Sequence, residues 1–257
     1  MKAALLAVAN VIAVLWQVLP TGLRRAIIKG LLVLESRGTD SARGLRRLFA
    51  IQDALNHVVA ERAMALGRGI HPKHRLTRYH DFFIERIRDG EAVIDIGCGY
   101  GAVARSVAAA RPGSRVLGVD YDDGRLAQAK SHPDTPSNLG FVKTDATVSV
   151  PDGPWDVVIL SNVLEHIRDR PRFLRKLVAT TQARRFLIRV PHFERDWTMP
   201  MRRELGVNYY SDDDHKIEHT KAEFLAEMVA AGLRPAELMT VWGEIWSALE
   251  VETTSRV

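Results

Sequence analysis

The chain has 257 residues, 46% hydrophobic and 26% charged, which is apolar enough for a packed domain with an extension and excludes a disordered chain. Its single cysteine, Cys98, excludes an internal disulfide and a multi-cysteine zinc site. The net charge of +5 is uneven: residues 1–90 hold fifteen Lys and Arg against seven Asp and Glu, a net of +8, and the remainder carries −3. A basic front half suits anionic lipid, nucleic acid or a phosphorylated substrate; solvated arginine-rich helix faces would explain it too.

Residues 3–19 carry no formal charge, are interrupted by Asn10 and Gln17, and are closed by Pro20. Such a run is at the lower limit for crossing a bilayer. It follows Lys2 and precedes Arg24, Arg25 and Lys29, and no small-x-small cleavage site follows it. A second helical pattern covers 23–34. Two readings stand: a helical hairpin lying on a membrane surface, or a buried helix or dimer contact. After a polar break at 36–41, residues 43–66 read as a long amphipathic helix. Leu45, Leu48, Phe49, Gln52, Leu55, Val59 and Met64 share one face, and Gly67 and Gly69 end it. Residues 69–83 are dense in His, Arg and aromatics, and a helix to 88 follows.

The stretch Val93-Ile94-Asp95-Ile96-Gly97-Cys98-Gly99-Tyr100-Gly101 then reads as a buried strand, a tight turn and a helix start. Glycines let backbone approach a ligand, and free N–H groups at a helix start suit an anion. Asp95 can reach the positive end of such a ligand. Cys98 reads as a small side chain filling the turn. Gly97-x-Gly99-x-x-Ala102 also satisfies a loose dinucleotide fingerprint. A strand at 115–119 ends in Asp120, which can accept from ribose hydroxyls. A third strand at 140–143 leads to Asp145, and a fourth at 156–160 to Ser161, Asn162, Glu165 and His166. A fifth falls at 185–190, with two more at 234–241 and 244–251. Helices fall near 101–110, 123–130, 170–180 and 221–231. This alternation predicts a doubly wound sheet.

These four segments, in this order, resemble the class I S-adenosylmethionine-dependent methyltransferases. The resemblance implies a mostly parallel, seven-stranded Rossmann-like sheet with a terminal hairpin at 89–257, behind an N-terminal helical extension and cofactor lid at 1–88. It implies that Asp95, Gly97, Cys98, Gly99 and Gly101 surround the amino acid end of the cofactor. Asp120 and Tyr121 would meet the ribose, Asp145 and Ala146 the adenine, and Ser161 and Asn162 the methyl end. His71, His74, Arg75 and Tyr79 are lid candidates; satisfied loop histidines are the other reading.

A second segment, Asp214-His215-Lys216-Ile217-Glu218-His219-Thr220, resembles part of the small-RNA 2′-O-methyltransferases. Those enzymes hold a divalent ion through Glu-x-x-Glu-His and a later histidine. Glu165, His166 and His215 match three of those ligands as catalytic and metal residues, and Asn162 stands where the first glutamate would be. An amide oxygen can ligate Mg2+ or Mn2+. The alternatives are a plain general base at His166 or His215, or a packed histidine before a helix capped by Thr220. The polar, aromatic segment 191–212 reads as a loop, where Trp197, Tyr209 and Tyr210 either stack on an acceptor or cover the loop itself. The expected activity is O-methylation of a hydroxyl on a glycan or lipid-linked sugar, in the cytoplasm or at the inner face of a membrane. An RNA ribose or other small molecule is the alternative acceptor, and a non-catalytic cofactor-binding scaffold the alternative class. No nucleic-acid-binding motif is complete.

Overall fold

The computed structural model describes residues 2–67 and 71–252, which form two compact units. The first holds three helices, α1 (Lys2–Val18), α2 (Thr21–Ser36) and α3 (Ser41–Leu66), together with Arg202–Val207. Asp40 caps α3 by accepting from the Ala42 and Arg43 N–H groups. Gly44 allows a close approach, since a Cβ there would lie 2.3 Å from the Ser36 carbonyl oxygen. Arg47 donates to the Glu35 and Arg37 carbonyls and so ties the end of α2 to α3. The apolar face expected along α3 is fully buried only at Phe49; Leu55, Val59 and Met64 are exposed. The packing partner explains this. The Arg202 guanidinium sits 4.4 Å over the Phe49 ring and 2.8 Å from Asp53, both in the first half of the helix. Gly67 caps α3, and Gly69, the second expected stop, lies outside the described residues.

The second unit begins with α4 (Lys73–Thr77) and α5 (Tyr79–Glu85). Then follow β1 (Ala92–Ile96), α6 (Ala102–Ala110), β2 (Arg115–Asp120), α7 (Asp123–Ser131), β3 (Leu139–Lys143), β4 (Val157–Ser161), α8 (Arg170–Thr181) and β5 (Arg185–Pro191). The chain closes with α9 (Thr198–Glu204), α10 (Lys221–Ala230), β6 (Leu233–Val241) and β7 (Glu244–Val251). The sheet order is β3-β2-β1-β4-β5-β7-β6. The first five strands are parallel, and β7 runs antiparallel to both neighbours, as expected. Val93, Ile94, Val157, Val158, Ile159 and Leu160 are fully buried, because helices cover both faces of a parallel sheet.

Two expectations need correction. The helix before β1 stops at Glu85 rather than 88, where the Arg111 side chain takes over the Ile84 and Ile87 carbonyls. The segment 191–212 is not one loop: it carries α9, and buried Arg202 anchors its end through Asp53.

Candidate active site

Strand order reverses between β1 and β4, and ligands of open α/β sheets sit outside the carboxyl ends at such a point. The loop from Gly97 to Gly101 fills that position. The Gly97 and Cys98 N–H groups both donate to the Val119 carbonyl, at 2.8 and 3.0 Å, which docks the loop on the end of β2. Asp120, nearly fully buried, accepts from the Gly99 N–H at 2.8 Å and the Asp122 N–H at 2.9 Å. Gly101 (φ 72°) starts α6, and a Cβ there would fall 2.6 Å from Phe141. Cys98 is half-buried, and burial, with Asp95 and Asp120 nearby, pushes its thiol well above the ordinary range. That is the wrong direction for a nucleophilic thiolate.

Two cavities open along this edge. The larger, about 590 Å³, is lined by Asp120, Tyr121, Asp145, Ala146, Asn162 and His166 among others. The smaller, about 240 Å³, is lined by Asp95, Cys98, Gly99, Ser161, Asn162 and Arg189 among others. Gly97 and Asn162 line both; Gly101 lines neither. Asp145 accepts from the Thr147 hydroxyl and N–H, which hold its carboxyl below the ordinary value, so it caps its own turn while facing the cavity.

Asp95 is 2% exposed, and its Oδ2 has no hydrogen-bond partner among the described residues. Burial pushes its carboxyl up to about 7, and Asp120 adds to the rise. A buried carboxylate oxygen left in this state fits a cationic ligand group. On the far wall, His74 and Tyr79 line the smaller cavity, with Tyr79 Oη 2.8 Å from His74 Nδ1. His71 accepts from the Lys73 N–H instead, and exposed Arg75 lines neither cavity.

The third group lies past β4. Glu165 and His166 sit on a 3-10 turn, Leu164–His166. Glu165 is fully buried, neither carboxylate oxygen has a partner among the described residues, and burial pushes it up to about 8. His215 reaches it from the segment before α10, held by the Lys216 N–H donating to the Glu165 carbonyl at 2.7 Å. His215 Nδ1 is 3.4 Å from Glu218, and its ring meets that of His166 edge-on at 4.8 Å. Donor atoms of Glu165, His166 and His215 lie within 4.8 Å of one another. Only His166 of the three lines the larger cavity, where Asp214 stands 3.1 Å from its Nδ1. The structure thus brings together the three residues singled out in the sequence, and sets beside them Asp214, which sequence reasoning did not single out. That reasoning also missed Arg189, whose guanidinium grips Glu244 with two bonds and donates to Ser161 Oγ. An arginine inside the apolar strand Phe-Leu-Ile-Arg-Val was the available signal. Trp197 is exposed, and the rings of Tyr209, Tyr210 and Phe193 pack on one another away from both cavities.

Comparison with known proteins bears on the cofactor side. Residues 94–183 match the family described as a methyltransferase domain. A ribosomal protein L11 methyltransferase from Thermotoga neapolitana is 35% identical over 108 residues, 42% of this chain and 39% of that protein. A ubiquinone biosynthesis O-methyltransferase from Bradyrhizobium diazoefficiens is 31% identical over 122 residues, 47% of each chain. The chain thus spans less than half the length of these curated relatives. Among solved structures, the small RNA methyltransferase HEN1 superposes with a TM-score of 0.56 at 17% identity, covering 71% of this chain and 25% of that one, which is a likeness of fold. The β1 loop, the acid ending β2 and the seven-stranded sheet agree with that family match: residues 94–183 carry a methyltransferase domain, in the fold of the class I, S-adenosylmethionine-dependent methyltransferases.

Proposed function

We propose that the protein uses S-adenosylmethionine to methylate a hydroxyl, on a glycan or lipid-linked sugar. The observation that carries this reading is the cluster of Glu165, His166 and His215 beside Asn162, with His166 opening onto the cavity that Asp120 lines. Asp120 would accept from the ribose hydroxyls, Tyr121 would stand beside the ribose, and Asp145 and Ala146 would flank the base. Asp95 would hold the ammonium, Gly97, Cys98 and Gly99 would surround that end, and Ser161 and Asn162 would face the methyl group. The orphaned Asp95 oxygen supports the fit. S-adenosylmethionine, when bound, supplies an electrophilic methyl group.

On the acceptor side, His166 would take a hydroxyl proton, and Asp214 at 3.1 Å would steady the resulting imidazolium. Burial lowers the His166 pKa, which keeps the ring neutral and able to accept. The residues also fit a divalent ion. Glu165 offers a carboxylate with no other partner among the described residues, and Glu218 orients His215 as carboxylates orient ligating histidines. Mg2+ or Mn2+ held there would lower the pKa of the acceptor hydroxyl.

An acceptor on RNA would present the same chemical group, so fractionation separates the two. Methyl-labelled S-adenosylmethionine is incubated with lipid, glycan, RNA and protein fractions of a cell extract. Label in an ether linkage of the lipid or glycan fraction supports the proposal. Label only in RNA replaces the acceptor, and cofactor binding with no label in any fraction favours a scaffold.

A further inference from the structure

We propose that α1 and α2 form a docking surface for an anionic lipid bilayer, lying in the plane of its headgroups. This does not rest on the acceptor proposed above. Leu23, Ile27, Leu31 and Leu34 recur at i, i+4, i+8 and i+11, which gathers them within roughly 80° of the α2 surface. A core helix would bury such a stripe. Here α2 buries no residue, and Leu31 and Leu34 are 59% and 71% exposed. Ile12, Val14, Leu15 and Val18 on α1 are exposed as well. Contiguous apolar surface of this kind marks an interaction site.

Charge decides the occupant. Residues 3–34 contain Arg24, Arg25 and Lys29 and no acid. No ion pair neutralises these three among the described residues; Arg24 bonds only the Thr21 hydroxyl. A second copy placed on this face would bring like charges together with no acid from 3–34 to offset them. Anionic headgroups would neutralise them while the acyl boundary receives the leucines. Length decides the geometry. The helices have 17 and 16 residues, and no helix among the described residues is long and apolar enough to cross a membrane. Pro20 stands at the N-cap of α2 and breaks the run between them.

The test is co-sedimentation of the full chain with vesicles of phosphatidylcholine, alone or with about one third phosphatidylglycerol. The full chain should pellet with the anionic vesicles and weakly with the neutral ones. Arg24→Gln/Arg25→Gln/Lys29→Gln should lower partitioning by about fivefold per charge removed, on the order of 100-fold together. Ile27→Glu/Leu31→Glu should abolish pelleting even at low salt, with circular dichroism confirming that the variant is folded. The charge variant, which alters only exposed or half-exposed side chains, keeps the test valid if the apolar variant fails to fold. A full chain that stays in the supernatant with both vesicle types overturns the proposal. So does pelleting that neither variant changes. Light scattering that shows a dimer, dissociated by the apolar variant and without vesicle binding, overturns it in favour of a second copy.

Discussion

Replacing Asp95 by asparagine tests the ammonium assignment through proton linkage. The carboxyl is fully buried and titrates at about 7. Only its ionised form attracts a cation. The ionised fraction is about one half at pH 7 and about 1% at pH 5, so affinity for an ammonium ligand should fall about fiftyfold between them, roughly 2.3 kcal/mol. The sign for the free protein is opposite. A carboxyl whose folded pKa is raised binds more protons folded than unfolded. Its contribution to stability is complete below the unfolded value and lost as pH rises through about 7. Calorimetry with S-adenosylhomocysteine, which carries the same ammonium and is not consumed, measures the first effect from pH 5 to 7. Thermal unfolding without ligand measures the second. Asp95→Asn should weaken binding at pH 7 by the charge-assisted hydrogen bond, on the order of 1.5–3 kcal/mol, and should flatten both pH profiles. A wild-type affinity independent of pH over this range, matched by the variant, would refute the argument.

Asp120→Ala should weaken cofactor binding by at least tenfold in calorimetry, since it removes the proposed ribose acceptor and the partner of the Gly99 and Asp122 N–H groups. If a metal is used, a chelator should stop turnover and manganese restore it. His215→Ala should block that recovery without changing cofactor affinity, and Asn162→Glu should tighten metal binding; full turnover in a preparation shown metal-free by elemental analysis would leave the plain base. Glu218→Gln should weaken metal affinity by roughly 10–100-fold through loss of His215 orientation, read by titration of the metal alone. Phe224→Ala should destabilise the fold by about 3–5 kcal/mol in denaturant unfolding, because its ring is fully buried where α10 meets the sheet.

The strands were legible in the sequence because each is a short apolar run with few competing readings, and β1 to β7 all fall within a residue or two of expectation. The acids at their carboxyl ends were legible for the same reason. Other features depended on distant partners. The sequence Thr-Met-Pro-Met-Arg-Arg-Glu of α9 contains a proline and two arginines and reads as loop until Arg202 finds Asp53 and Phe49, about 150 residues earlier. Asp214 belongs to a run of three acids that reads as a solvated turn, and only the folded chain sets it against His166. The face of α3 failed in its second half because periodicity predicts a stripe without supplying anything to cover it.

The buried guanidinium of Arg189 joins parts of the chain that are far apart in sequence. One planar fork holds Glu244 at the start of β7, Ser161 at the end of β4 and, 3.8 Å beneath it, the Tyr79 ring at the start of α5. Shape rather than charge makes this joint. A lysine would keep the positive charge yet lose the paired bonds and the flat face together, so the most conservative exchange on paper would loosen Tyr79 and Ser161, two walls of the smaller cavity, and release Glu244 behind them.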